Sequence, residues 1–167
     1  MKNPEGLPKA DPAKPSFGDV PAGRWSYDAI EWAFDAGIIQ ADDNGNFRPA
    51  DPITRAEMAV ILVKVEKLTD KAPDNTFSDI DDRLDHDDIL KVARAKIFQG
   101  YPDGTFRPDN SATRYEVVAA MVRYLLGGEP TDEMWEDIDL PFTDTPRRHW
   151  GYRYAAMAVM GYRPLVP

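Results

Sequence analysis

Apolar residues in this chain come in short helical runs, separated by polar loops rich in glycine and proline, and the runs arrive in pairs. Trp25, Ala29, Ile30, Ala33 and Phe34 fall at helical spacing, with Ser26 placed to cap a helix to about Ala36 and Gly37 placed to end it. Asp42-Asp43-Asn44-Gly45-Asn46-Phe47-Arg48-Pro49 then reads as a turn-rich loop. A second apolar run, Met58 to Val63, follows Thr54-Arg55-Ala56-Glu57 and predicts a helix from near Arg55 to about Leu68. Thr54 and Glu57 have the spacing of a capping box: the hydroxyl accepts from the third helical N–H, and the carboxylate reaches back to the threonine N–H.

The same order returns. Phe77-Ser78-Asp79-Ile80 matches Phe17-Gly18-Asp19-Val20, and Ile89, Val92 and Ala93 carry the next amphipathic helix. Asp103-Gly104-Thr105-Phe106-Arg107-Pro108 matches Asn44 to Pro49, and Thr113-Arg114-Tyr115-Glu116 opens a helix that stops at Gly127-Gly128. The offset is 60 residues at the phenylalanines and 59 at the threonines, so one residue is inserted between these landmarks. A third copy begins at Phe142-Thr143-Asp144, with Trp150 eight residues on, as Trp25 follows Phe17. Tyr152, Ala155 and Ala158 match Tyr27, Ile30 and Ala33, but no glycine loop or threonine-arginine helix follows. One helix-loop-helix unit cannot bury its apolar face alone, so the copies must share a core. The absent helix predicts an apolar groove around Ala155, Met157, Val159 and Met160. Leu165 and Val166, the N-terminal arm or another chain are the candidates to fill it.

A chain of 167 residues that is 43% hydrophobic can build such a core. Its net charge of -9 argues against nucleic acid as a main partner, which needs a basic surface. The absence of cysteine removes disulfides and thiolate zinc sites. No apolar run reaches the length of a membrane span, so no membrane insertion is expected. Residues 1–16 hold Pro4, Pro8, Pro12 and Pro15 and no apolar signal core; they read as an extended arm, free or packed on a neighbouring subunit.

The repeated order of Phe-x-Asp, tryptophan, helix, Asp-Gly-x-Phe-x-Pro and Ile-Thr-Arg-Ala-Glu resembles the S-layer homology (SLH) module. Residues 17–68 match it almost motif for motif, 77–126 match well, and 142–163 match its first half. The resemblance implies an all-α fold of tandem helix-loop-helix modules in a pseudo-threefold assembly. Its modules would be 17–68, 77–126 and a partial 142–167, with 17–167 one folded unit. It implies anchoring at the bacterial cell envelope through an anionic secondary cell-wall polymer or peptidoglycan. On the same resemblance Arg55 and Arg114 would meet the ligand's carboxylate or phosphate. Asp19, Asp79 and Asp144 would be groove acids, and Trp25 and Trp150 would offer faces to a sugar. Leu84 or Asp85 stands where the second module's tryptophan should be, Tyr115 replaces the counterpart of Ala56, and the third module has no arginine motif.

Other chemistries fit less well. An EF-hand needs acids at its first, third and fifth positions and glutamate at the twelfth. Registering on Gly45 gives Gln40 and Asp51 at the first and twelfth, and on Gly104 gives Gln99 and Asn110. Asp79, Asp81, Asp82, Asp85, Asp87 and Asp88 are dense, but a run of acids at a helix start is a solvated surface that favours the dipole. His86 and His149, the only histidines, are too few for a zinc or triad constellation. No catalytic residue, metal or cofactor is expected. The second expectation, from a different class, is a surface-layer or virion assembly component using the same fold for protein contacts, with self-association or a protein partner at the incomplete third copy. Eight aspartates in residues 70–88 and Arg147, Arg148, Arg153 and Arg163 near the end could pair within the chain or between chains.

Overall fold

The computed structural model describes residues 9–160; Leu165 and Val166 lie outside them. It is all-α, with α1 (Tyr27–Asp35), α2 (Arg55–Glu66), α3 (His86–Arg94), α4 (Arg114–Leu126) and α5 (Tyr152–Val159). Two 3-10 turns, Asp74–Thr76 and Asp132–Met134, lie between them. The chain divides into two compact units, and the division does not follow the sequence repeats. Among the described residues, one unit holds 9–52 with Lys64–Glu66; the other holds Ile53–Val63 and 67–160. The opening turns of α2 therefore belong with the second repeat.

In the first unit Phe17, Val20, Tyr27 and Ile30 form the core, with Ala10, Ile39 and Phe47 against them. The Phe17 ring meets Phe34 at 5.0 Å and Phe47 at 5.5 Å. The described part of the arm is held by α1. Ala10 N–H donates to Asp28 at 3.1 Å, Ser16 N–H donates to Glu31 at 3.0 Å, and Tyr27 Oη donates to Asp11 O at 2.9 Å. Glu31 is thereby buried with a partner. Ser26 stands at the N-cap as expected, but its side chain makes no cap bond; its hydroxyl accepts from Arg24 Nε at 3.1 Å. α1 ends at Ala36, and Gly37 follows in the left-handed region at φ 70°. The equivalent residue after α3 is Lys96, which takes φ 57° at a cost of about 1 kcal/mol.

In the second unit α2, α3 and the loop after α3 enclose the main core, built on Ala59, Leu62, Ile80, Ile89, Val92 and Phe106. Both capping boxes form as the sequence predicts. Thr54 accepts from Glu57 N–H while Glu57 accepts from Thr54 N–H, and Thr113 and Glu116 repeat the arrangement. A helix start leaves orphan N–H groups. At α2 the second repeat supplies their acceptors: Arg55 N–H donates to Asn110 O at 2.9 Å and Ala56 N–H to Pro108 O at 3.0 Å. α4 ends at Gly127, at φ 67°. It packs on α5 through Ala119, Val122 and Tyr154. Tyr154 Oη accepts from Arg123 at 2.6 Å and donates to Glu129, which Arg123 also pairs with at 2.8 Å. The acidic segment pairs locally: Lys71 bridges Asp74 and Asp87, and Arg83 bridges Asp85 and Asp109.

Candidate functional site

The aspartate of each complete repeat clasps the glycine loop of the same repeat. Asp19 accepts from Phe47 N–H at 2.9 Å and Arg48 N–H at 2.7 Å. Asp79 accepts from Phe106 N–H at 2.8 Å and Arg107 N–H at 2.7 Å. Arg48 and Arg107 sit at φ 60° and 58°, and this left-handed turn aims two successive N–H groups at one carboxylate. The Phe47 N–H, helped by Arg48 N–H and opposed by partial desolvation, holds the Asp19 carboxyl below its usual value. Asp144, the third counterpart, is exposed; its carboxylate accepts the Thr145 hydroxyl at 3.3 Å and, among the described residues, no backbone N–H.

Arg55 is 1% exposed, one of the largest fully buried side chains. Its Nε donates to Phe106 O at 2.7 Å, one terminal nitrogen to Gln99 O at 2.9 Å and the other to Glu116 at 2.5 Å. Phe98, Tyr101 and Phe106 surround the guanidinium at 4.5, 4.7 and 4.7 Å. Burial pushes the Glu116 carboxyl up, but donation from Tyr101 at 2.7 Å, from Thr113 and from the Arg55 charge outweighs it and leaves it below its ordinary value. Burial, with the bond to Glu116, raises Tyr101. The socket is thus filled by groups of the chain itself. Arg114, at the same place on α4, is exposed and has no hydrogen-bonded or ionic partner among the described residues.

The tryptophan position is exposed in every repeat. Trp25 is 71% exposed and Trp150 48%. The N-caps Ser26, Asp85 and Gly151 align the first helices, which makes the fully exposed Leu84, not Asp85, the second counterpart. Trp150 stands in a row of rings that the sequence did not single out. Tyr115 stacks on His149 at 4.1 Å and lies 5.9 Å from Trp150, which meets Tyr154 at 6.0 Å. Tyr115 also donates to the Thr145 hydroxyl at 3.0 Å and packs so closely on Gly151 that a Cβ there would stand 2.2 Å from its ring. The signal was present as Tyr115 in place of Ala56's counterpart, with Gly151 as the partner that makes room. Arg114, Tyr115, His149 and Trp150 are so brought to one region, while Arg55, Asp19 and Asp79 are each committed to a loop.

A family model described as the S-layer homology domain matches residues 16–59 and 76–118. The chain belongs to the S-layer homology domain family. It is 30% identical over 145 residues to an S-layer protein of Bacillus licheniformis, covering 86% of this chain and 16% of that protein. It is 30% identical over 150 residues to a cellulosome-anchoring protein of Acetivibrio thermocellus, covering 87% and 32%. A cell surface glycoprotein of the same organism is 33% identical over 123 residues, 67% of this chain and 5% of that protein. This SLH chain therefore spans less than a third of the length of these relatives. Among its described residues no group of His, Asp and Glu could hold a metal ion, and no helix is long and apolar enough to cross a membrane.

Proposed function

We propose that this chain is a non-catalytic anchoring module. It binds an anionic glycan of the bacterial cell envelope, a secondary cell-wall polymer or peptidoglycan, and holds what it is joined to at the cell surface. The observation that carries this reading is the repeated exposure of a large apolar side chain just before the first helix: Trp25, Leu84 and Trp150. Folding gains little from the part of a side chain left in water, whereas an exposed aromatic face suits a sugar ring, and exposed apolar surface marks a binding site. Arg114 supplies a guanidinium for bidentate contact with a carboxylate or phosphate beside the Tyr115–His149–Trp150 stack. Asp19, Asp79 and Arg55 have a supporting role, each fixing a loop within its own unit. The relatives named for surface layers and for anchoring support the reading.

The test is co-sedimentation with purified sacculi, with and without their secondary polymer. Wild type should pellet, and Trp25→Ala and Arg114→Ala should each weaken pelleting with little change in melting temperature, while Trp150→Ala should weaken it together with a modest loss of stability from the Tyr115 and Tyr154 ring contacts. A folded wild type that ignores both preparations overturns the reading. The open α4–α5 face favours a second reading, an assembly component whose partner is a protein.

A further inference from the structure

The two glycine turns share a backbone and differ in the side chain that braces it. Asp42 N–H donates to Asn46 O at 2.9 Å and Gly45 N–H to Asp42 O at 2.9 Å. Tyr101 N–H to Thr105 O at 2.8 Å and Gly104 N–H to Tyr101 O at 3.0 Å repeat both bonds. Gly45 and Gly104 sit at φ 76° and 79° with open space around them. In the second turn the residue before the glycine is engaged: Asp103 accepts from Thr105 N–H at 3.1 Å, from the Thr105 hydroxyl at 2.6 Å and from Arg107 at 2.7 Å. In the first turn Asp42 takes that part, accepting from Asn44 N–H and Asn46 N–H, both at 2.9 Å. The exposed Asn44 carboxamide is left with no partner among the described residues. Asn44 is also the one asparagine of the chain that precedes a glycine. Asn46, Asn75 and Asn110 precede Phe47, Thr76 and Ser111, whose side chains crowd the next peptide nitrogen, and Asn3 precedes a proline.

We infer that Asn44-Gly45 is a site of spontaneous modification, where the folded chain converts asparagine to isoaspartate and aspartate, and that Asp103-Gly104 at the same place in the second turn is inert. The Gly45 nitrogen gives its proton to hydroxide and attacks Asn44 Cγ. The N–Cγ bond forms, the bond from Cγ to the amide nitrogen breaks, and that nitrogen leaves as ammonia with a proton from water. Water then opens the five-membered imide. Opening at one carbonyl gives aspartate; opening at the other gives isoaspartate, whose main chain runs through the side-chain carbon. One water enters, one ammonia leaves, and no oxidant is needed. At Asp103 the same attack needs a protonated carboxyl, because a carboxylate is a poor electrophile. The Thr105 hydroxyl, Arg107 and the Thr105 N–H hold that carboxyl ionised, its pKa down to about 2, and tie the side chain to Thr105 and Arg107. The consequence falls on the clasp just beyond. Isoaspartate adds a carbon to the main chain inside a turn closed by two hydrogen bonds, and it sets a new carboxylate beside Asp42 and Asp43. The Phe47 and Arg48 N–H groups that Asp19 holds at 2.9 and 2.7 Å come next along the chain. Modification therefore loosens the loop of the first repeat and leaves that of the second intact.

This stands independently of envelope anchoring. The test incubates the full chain at neutral pH, digests it, and reads both turns by electron-transfer fragmentation, which separates isoaspartate from aspartate. Product should build up at Asn44, isoaspartate in excess, and at Asp103 at least tenfold more slowly. Asn44→Gln, whose longer side chain must close a six-membered ring, should lose the signal with the fold kept. Thr105→Ala combined with Arg107→Gln frees the Asp103 carboxyl and should raise isoaspartate there severalfold. In the aged fraction the Phe47 and Arg48 amides should exchange with deuterium severalfold faster than in fresh protein, while those of Phe106 and Arg107 keep their rate. An Asn44 that stays intact in the folded chain but reacts in the same chain in denaturant overturns the inference, since the Gly45 N–H bond to Asp42 O then keeps the nitrogen from reacting. Equal modification at Asn44 and Asp103 overturns it too. Unchanged exchange at Phe47 and Arg48 overturns the loosening of the clasp.

Discussion

Arg55 and Arg114 occupy the same place in two copies of one motif, yet their removal should have opposite consequences. Arg55→Ala deletes a guanidinium that is 1% exposed and strands Glu116, Gln99 O and Phe106 O in the space it leaves. Removing one partner of a buried ion pair costs about 3–5 kcal/mol, because the other charge stays desolvated. For a chain of this size each kcal/mol moves the melting temperature by about 2–4 °C, so a fall of roughly 6–20 °C is expected. Arg114→Ala removes an exposed side chain with no hydrogen-bonded or ionic partner among the described residues and should stay within about 0.5 kcal/mol of wild type. Arg55→Lys keeps the charge but not the fork that reaches three acceptors, and should recover only part of the loss. Thermal melts by circular dichroism at matched pH decide the matter. If Arg55→Ala and Arg114→Ala melt within a degree or two of each other, the buried pair contributes nothing and the reasoning fails.

Asp79→Ala should cost about 1.5–3 kcal/mol for the lost charged hydrogen bonds, while Asp144→Ala should cost almost nothing; chemical denaturation compares them. Gly151→Ala forces the Tyr115 ring aside and should destabilise by about 1–3 kcal/mol, and adding Tyr115→Ala should relieve the clash; failure of the double variant to recover that term would falsify the packing account. Glu116 and Glu129 are both held below the ordinary carboxyl value of 4.5, so the stability they contribute is complete above that pH and lost as pH falls through their folded values. Melting temperature followed downward from pH 6 should drop less steeply in Glu116→Gln, measured relative to its own value at pH 6, than in wild type.

The helices were legible because their signals are local. Capping boxes at Thr54 and Thr113, the apolar runs behind them and Gly127 act within one or two turns, and the structure places each within a residue or two of the expected position. The exposure of Trp25 was legible only through the family resemblance: by spacing alone, an apolar residue beside an amphipathic helix reads as core unless the neighbouring surface is known. Arg55 was harder still. Sequence places it at a helix start, where a cation is mildly unfavourable and an anion welcome. Its partner Glu116 lies 61 residues on, and the N–H groups that would have welcomed an anion are spent on Pro108 and Asn110. Repetition hid the difference as well, since two equal motifs suggest two equal roles, whereas the described residues hold the next loop for one motif and not for the other.

The seating of α2 in the loop of the following repeat sets where this polypeptide can be cut. The sequence period invites cuts before Phe17 and before Phe77, each piece carrying its own threonine-arginine helix. Such a piece would take Arg55 away from Glu116, Gln99 and Phe106 and hand a buried charge to water. The transferable block runs half a period out of step, from the start of one threonine-arginine helix through the first turn of the next, where Glu116 lies. A graft made in that register carries both halves of the ion pair with it.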